Sequence, residues 1–186
     1  MELVLKRNDW GSLRGATGTA AGLDLAVRAL SAANDRDAAT SAAQQVQRYV
    51  FANGFLCEAA APLATALVHC LWRSTEHNED LILGILSDIS AATVDEEDPG
   101  VYGPASETAM LNEVSLGYPA YVEILETGTK RESRTACIDL VLMCGLACAH
   151  LHSRSIYYLE KALEMDAFQD HRDVIRSSLA DLRESS

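Results

Sequence analysis

Aromatic residues are scarce in this sequence: Trp, Tyr and Phe together make up 6% of the chain, while hydrophobic residues of all kinds reach 48%. Sheets favour aromatic and β-branched side chains, whereas helices make good use of Ala and Leu, which are abundant here. The composition therefore favours an all-helical fold over a sheet. A hydrophobic fraction in the globular range also argues against global disorder.

Long apolar runs are also missing. No stretch of about 18 uninterrupted apolar residues occurs, as a membrane span would need, and the N-terminal residues lack the apolar run of a signal peptide. The five cysteines are an odd number, and no pair has CxxC spacing. This pattern indicates free thiols in a reducing compartment. We expect a soluble, cytoplasmic protein.

Lys and Arg are absent from residues 74–129, and the same segment contains twelve acidic residues. The two flanking parts of the chain are nearly balanced, so the middle third holds the whole excess of the net charge of −12. Such a field opposes binding to nucleic acid or to an anionic membrane. It attracts a protein partner with a basic surface.

Apolar residues recur at the spacing of one helical face. This periodicity predicts eight main helices, at 22–33, 36–52, 58–73, 78–93, 107–127, 130–149, 152–165 and 168–184. Pro119 should kink or split the helix in which it lies. The glycines of residues 1–21 predict an irregular N-terminal segment, and the acids, prolines and glycines of 94–106 predict a long acidic loop.

Eight helices joined by short turns predict one all-α domain, residues 1–186, built of about four stacked antiparallel helix hairpins. The hairpins start roughly 35 to 50 residues apart, which suits a short α-solenoid of HEAT or armadillo type. No crisp repeat consensus is visible. An irregular helical bundle therefore stays open as the alternative.

Three segments carry a family resemblance: DWGSLRGATGTA at 9–20, the Ala- and Pro-rich segment 46–71, and LGYPAYVEILETG within 116–144. Together they resemble a loose group of bacterial HEAT-repeat-like proteins. The resemblance implies a scaffold for protein contact. Some helical-repeat proteins of this sort act as immunity or antitoxin partners beside bacterial toxins, which is an implication by analogy only.

The acidic middle segment is the candidate partner-binding surface. An immunity protein would use it to occlude the basic active site of a toxin, with carboxylates in place of phosphates and an exposed Tyr102 as apolar anchor. A general HEAT-like scaffold or regulatory subunit is the alternative function, and a solvated acidic face that aids solubility is the plainer explanation of the charge. The candidate contact residues are Glu76, Glu79, Asp80, Asp95, Glu96, Glu97, Asp98, Val101, Tyr102, Glu107, Glu113, Glu123 and Glu126.

No constellation of nucleophile, base and orienting group can be assembled, so we expect a binding protein that is not an enzyme. Cys144, Cys148 and His152 recur at every fourth residue and could begin a zinc site. However, free cysteines in an apolar helix are usually core residues. The four acids at 95–98 lack the alternating spacing of an EF-hand loop. We therefore predict no metal and no cofactor.

Overall fold

The computed structural model describes residues 1–51 and 54–185, and this part of the chain is mainly helical, which confirms the predicted all-α fold. Two two-residue strands, β1 (Arg14–Gly15) and β2 (Gly18–Thr19), pair as an antiparallel hairpin. The helices are α1 (Glu2–Lys6), α2 (Leu23–Ala32), α3 (Arg36–Val50), α4 (Ala60–Leu71), α5 (Glu79–Ser90), α6 (Pro99–Tyr102), α7 (Glu107–Ser115), α8 (Tyr118–Thr127), α9 (Arg131–Ala147), α10 (Ala149–Glu164) and α11 (Arg172–Glu184).

The main helices begin close to where the periodicity places them. Helix α2 buries Leu23, Val27 and Leu30 on one face, as the spacing predicts. Helix α3 begins after Asp35, whose side chain accepts a hydrogen bond from the backbone N–H of Ala38 at 2.8 Å. This is the capping role that Asp commonly fills. The predicted end of this helix, at residue 52, lies outside the described residues.

The predicted break near Pro119 is confirmed, because α7 ends at Ser115 and α8 begins at Tyr118. The buried hydroxyl of Tyr121 donates to the carbonyl oxygen of Val114 at 2.9 Å, across the break. A Cβ atom on Gly117 would lie 2.4 Å from that hydroxyl oxygen. The turn between α7 and α8 therefore depends on a residue without a side chain.

The helix pairs stack in chain order as two layers. Helices α2, α4, α7, α8 and α10 form a first layer, and α3, α5, α9 and α11 form a second. Helix α5 packs against α3 and α9, and α9 packs against α8, α10 and α11. The buried apolar residues form one continuous core from Leu5 to Leu182.

Residues 1–21 are more ordered than the sequence predicts. They contain α1 and the β1–β2 hairpin, and the indole N–H of Trp10 donates to the carbonyl oxygen of Leu5 at 2.8 Å. Trp10 is buried, so this segment covers one end of the core. Elements of two to five residues leave no detectable periodicity, which is why the pattern did not predict them.

None of the helices among the described residues combines the length and the apolar character needed to cross a membrane.

Candidate protein-binding surface

The acids of residues 74–129 mostly lack basic partners. Of these twelve residues, only Asp80 has a Lys or Arg nitrogen within 4.0 Å in the described part of the chain. Glu76 lies 3.8 Å from a ring nitrogen of His77. The other ion pairs belong to the two ends of the chain, where acidic and basic residues are nearly equal in number. The sequence imbalance is therefore also an imbalance in space.

Asp80 is the exception, and it is not a free contact residue. Arg36 on α3 donates to both carboxylate oxygens, at 2.7 and 2.6 Å, and Lys130 donates to one of them at 3.0 Å. The carboxylate is only 9% exposed. Burial by itself would raise the pKa of Asp80, but the hydrogen bonds from Arg36 and Lys130 bring it below its usual value. Asp80 joins three consecutive parts of the stack, so its interpretation as a docking residue is corrected to a structural one.

The other two acids near the start of α5 differ in exposure. Glu76 precedes α5, and its side chain is 81% exposed. Glu79 lies in the first turn and is half-buried. An acid in the first turn also interacts favourably with the helix dipole. Glu76 is thus available to a partner, and Glu79 is available in part.

The acidic loop 94–106 is folded, and Tyr102 explains why. Its exposure was predicted and that prediction is wrong: Tyr102 is 8% exposed and belongs to the core. Its ring lies 5.8 Å from that of Phe55, and its carbonyl oxygen accepts a hydrogen bond from the backbone N–H of Glu58 at 2.8 Å. Tyr102 anchors the loop to the protein itself, so it cannot anchor a partner.

The rest of the loop does face the solvent. Glu96, Glu97 and Asp98 are exposed, and Val101 is 47% exposed, as predicted. Asp95 is half-buried, and its carboxylate accepts hydrogen bonds from the backbone N–H groups of Glu97 and Asp98, at 3.0 and 3.1 Å. Three consecutive carboxyl groups are therefore presented together on a short, internally bonded turn.

The two acids of α7 are hydrogen-bonded within the protein. Glu107 accepts from the backbone N–H of Val94 at 2.9 Å and so closes the acidic loop at its base. Glu113 is half-buried and accepts from the hydroxyl of Thr65 on α4 at 2.8 Å. Neither has a Lys or Arg within 4.0 Å among the described residues, but part of their hydrogen-bonding capacity is already in use.

Glu123 and Glu126 lie one turn apart on α8 and are both exposed. Glu126 lines an open groove between α8 and α10, with a volume of about 430 Å³. Neither carboxylate has a Lys or Arg within 4.0 Å among the described residues. Glu126 thus lies beside the apolar lining of this groove, with Glu123 one turn away on the same helix.

The predicted contact residues do not share one face. Glu79 and Asp80 are in the second layer, Glu107, Glu113, Glu123 and Glu126 are in the first, and Glu96 to Asp98 lie on the connecting loop. The acids of residues 74–129 that have no Lys or Arg within 4.0 Å among the described residues are called the acidic belt here, and they are spread over both layers and the connecting loop. One partner surface can contact part of this belt but not all of it.

A second groove, of about 400 Å³, lies between α5 and α9 on the second layer. The charge count of residues 74–129 included its Asp88, but the predicted contact residues did not, and Asp139 lies outside that segment. Asp88 and Asp139 both line it. Burial raises the pKa of each carboxyl, offset in part by Gln47 for Asp88 and by Ser87 for Asp139. A lone carboxylate inside the most apolar helix of the sequence was the signal that could have identified Asp139.

We expect Asp139→Asn to increase the free energy of unfolding at about pH 7 by about 0.5 kcal/mol, because water still reaches this carboxyl. The pKa of Asp139 is raised in the folded protein, so the native state binds its proton more tightly than the unfolded state does. The protonated Asp139 carboxyl therefore stabilises the fold fully below its ordinary pKa of 3.8. This stabilisation is lost as the pH rises through the pKa that the group has in the folded protein. Urea unfolding curves at about pH 7 and about pH 3 measure this difference.

The gain from Asp139→Asn should disappear at about pH 3, where the carboxyl is protonated in both states. Asp181→Asn, on an exposed position of α11, is the control and should change stability little at either pH. A loss of stability in Asp139→Asn at both pH values would contradict the prediction.

The cysteines do not form a ligand set. Helix α9 ends at Ala147 and α10 begins at Ala149, so Cys144 and His152 are on different helices. Burial raises the pKa of the Cys144 thiol to about 12 and that of Cys70 to about 11. Among the described residues, no group of three or more His, Cys, Asp or Glu side chains is placed to hold a metal ion.

Comparison of the chain with protein-family models, with curated proteins and with solved structures finds no match. The resemblance to bacterial HEAT-repeat-like proteins therefore stays a prediction about family. Any proposal about function therefore rests on the helix packing and on the charge distribution.

Proposed function

We propose that this chain is a protein-binding helical-repeat protein that is not an enzyme, and that its acidic belt contacts a basic surface of another protein. The proposal rests on one observation, which is that basic residues do not neutralise most of the acids of residues 74–129. Eleven of the twelve acids in the middle segment have no Lys or Arg within 4.0 Å among the described residues. At the two ends of the chain, six of the fifteen acids have a Lys or Arg within 4.0 Å among the described residues: Glu2, Asp24, Glu160, Glu164, Asp170 and Asp173.

Unpaired like charges on neighbouring elements repel one another and reduce the stability of the fold. A partner that brings Lys and Arg to the belt removes part of this repulsion on binding. The same field accelerates the encounter of the two proteins, and added salt weakens it. Binding that depends on the belt should therefore be both fast and sensitive to ionic strength.

The most specific form of the proposal is a cytoplasmic immunity protein that covers the basic active site of a bacterial toxin. Its support is the sequence resemblance together with carboxylates that can take the place of phosphate groups. The alternative is a HEAT-like scaffold or regulatory subunit with no toxin partner. The distribution of the belt over both layers favours this alternative, because two layers can contact two different partners.

Charge reversal at exposed belt positions tests the proposal. We expect either Glu96→Lys/Glu97→Lys or Glu123→Lys/Glu126→Lys to weaken the complex with the natural partner by about tenfold or more. The partner is first isolated by co-purification, and its affinity is then measured by calorimetry over a range of salt concentrations. The affinity of the unaltered protein should fall as the salt concentration rises.

Asp181→Lys/Glu184→Lys is the matched control, because it reverses two exposed acids three residues apart on α11, outside the belt. It should retain most of the affinity. Binding that does not respond to salt, or belt variants that weaken it no more than this control does, would contradict the proposed function. If the isolated partner is a toxin whose activity the chain abolishes, the immunity form is supported over the scaffold.

A further inference from the structure

The groove between α8 and α10 is open because the two helices both pack on α9 but make little contact with each other. Its volume is about 430 Å³, within the range of protein binding pockets. Its apolar lining comes from both helices and from the residue that follows α10. These lining residues are Val122, Leu125, Tyr157, Tyr158, Ala162 and Met165.

Tyr157 gives this groove an exposed aromatic rim. Its side chain is 54% exposed, and its ring lies edge-on against that of Tyr158 at 5.3 Å. Tyr158 is in turn 6.4 Å from the ring of Tyr118, which is buried. The exposed ring is thus supported by two others that reach the core. A supported aromatic side chain at the edge of a groove contributes area to an interface at a small cost in entropy.

The two sides of the groove differ in charge. On the α10 side, Lys161 pairs with Glu164 at 2.8 Å, and Glu160 pairs with Arg183 of α11 at 2.6 Å. That side is therefore neutral. On the α8 side, Glu126 lines the groove and Glu123 is exposed one turn away on the same helix, and neither has a Lys or Arg within 4.0 Å among the described residues. The groove has an apolar floor, one neutral side and one negative side.

We propose that this groove binds an amphipathic α-helix of a partner protein, with apolar side chains on the groove floor and Lys or Arg facing Glu123 and Glu126. The inference rests on the proposed function and deepens it by assigning the apolar part of the contact. Helix α8 has 10 residues, about 15 Å, so about three turns of a bound helix lie along it. Apolar anchors at positions i, i+3, i+4 and i+7 fit a groove of this length.

Charge decides between such a helix and a second copy of this chain. Each chain carries a net charge of −12, so two copies repel each other. A helix with a basic face is instead attracted by the negative charge of this chain. The uncompensated charge on one side of the groove also sets the orientation of the bound helix about its own axis, because its basic face must point to α8.

A defined probe tests the groove before any natural partner is known. The probe is a fluorescein-labelled amphipathic peptide of about four helical turns, with leucine on one face and lysine on the other. Fluorescence anisotropy gives its dissociation constant, and a photoreactive group on its apolar face marks the residues that it contacts. We expect cross-links to residues 118–126 and 155–165, and binding about tenfold weaker for the same peptide with glutamate in place of lysine.

Two variants examine the two parts of the contact separately. Tyr157→Ala removes the aromatic rim, and Glu123→Lys/Glu126→Lys reverses the negative side. Each should weaken peptide binding by about tenfold, while the helical circular dichroism signal stays unchanged. The matched controls are Leu25→Ala, an exposed apolar residue on α2, and Asp181→Lys/Glu184→Lys, which makes the same charge change on α11, outside the acidic belt. Both should leave binding within about twofold.

The loop variant Glu96→Lys/Glu97→Lys should weaken peptide binding less than the α8 variant does. Equal weakening by the two variants would show diffuse attraction to the belt, and it would overturn the groove as a site. Cross-links elsewhere, or unchanged binding to Tyr157→Ala, would overturn it as well. So would a dimer in sedimentation analysis that Tyr157→Ala dissociates. If the natural partner responds to the loop variant but not to the α8 variant, the proposed function stands and the groove inference fails.

Discussion

Replacement of Gly145 by alanine is expected to lower the free energy of unfolding by about 2 kcal/mol. Gly145 lies in α9, and side chains of α10 and α11 pack against it. A Cβ atom there would lie 2.6 Å from the Cβ of Ser155 and 2.8 Å from a methyl carbon of Leu182. Alanine is a better helix former than glycine by about 1 kcal/mol, which offsets only part of this clash.

The clash also affects a buried polar contact. The hydroxyl of Ser155 donates to the carbonyl oxygen of Val141 at 2.9 Å and lies 3.1 Å from the hydroxyl oxygen of Tyr118. If Ser155 moves to make room, these buried groups lose their partners, and each lost partner costs about 1–3 kcal/mol. The two helices must therefore separate or lose hydrogen bonds, and either change destabilises the fold.

Gly84→Ala is the matched control for this prediction. Gly84 also lies within a helix, α5, but a Cβ atom there would meet no atom within 4 Å. The same substitution should stabilise this position by about 0.5–1 kcal/mol, through helix propensity alone. Urea unfolding followed by circular dichroism measures both changes. Effects of the same sign in the two variants would show that close packing at Gly145 does not limit stability.

The second large effect is expected at Asp80. We predict that Asp80→Asn lowers the free energy of unfolding at about pH 7 by about 2 kcal/mol. The substitution removes the negative charge between Arg36 and Lys130 and leaves the two cations facing each other. Arg36 is 48% exposed and Lys130 31% exposed, so water compensates in part, and the loss stays below that of a fully buried ion pair.

The pH dependence of this effect has a definite sign. The pKa of Asp80 is lower in the folded protein than in the unfolded chain. The unfolded state therefore binds the proton more tightly, and stability at this site rises with pH. The stabilisation by Asp80 is fully present above the pKa that this carboxyl has in the unfolded chain. It is lost as the pH falls through the lower pKa of the folded protein. The difference between the original protein and Asp80→Asn should accordingly shrink towards about pH 3.

Asp173→Asn is the control for Asp80, because it also removes an ion pair. Its carboxylate lies 2.9 Å from a guanidinium nitrogen of Arg176, but its side chain is 97% exposed. The expected loss is below about 0.5 kcal/mol, as is usual for a surface pair within one helix. If urea unfolding gives similar losses for the two variants, Asp80 does not join the helix pairs in the way that the distances indicate.

The sequence-based prediction placed charge attraction and the apolar contact together in the acidic loop, whereas the proposed interface places them at two different sites. The prediction placed an apolar anchor, Tyr102, inside the acidic loop. The structure instead buries Tyr102, and it exposes an aromatic residue, Tyr157, beside the acids of α8. The proposed interface therefore has its apolar part between α8 and α10, and the loop acids contribute long-range attraction.

Local patterns in the sequence determined the helices. The apolar residues of α2 recur at the spacing of one helical face, Asp35 caps α3, and Pro119 separates α7 from α8. Each of these effects acts over about one turn of chain, so the residues that cause it stand side by side in the sequence. The charge imbalance of residues 74–129 was visible for the same reason.

Only the tertiary structure decided which acids are free and where the apolar contact lies. Asp80 is neutralised by residues 44 and 50 positions away, and the base of the acidic loop is closed by Glu107. The groove is lined by residues of α8 and α10, which are more than 30 positions apart in the sequence, and local periodicity carries no information about such distant contacts. Packing brings distant residues together to bury apolar area, and the pairings that result depend on the whole stack rather than on any one segment.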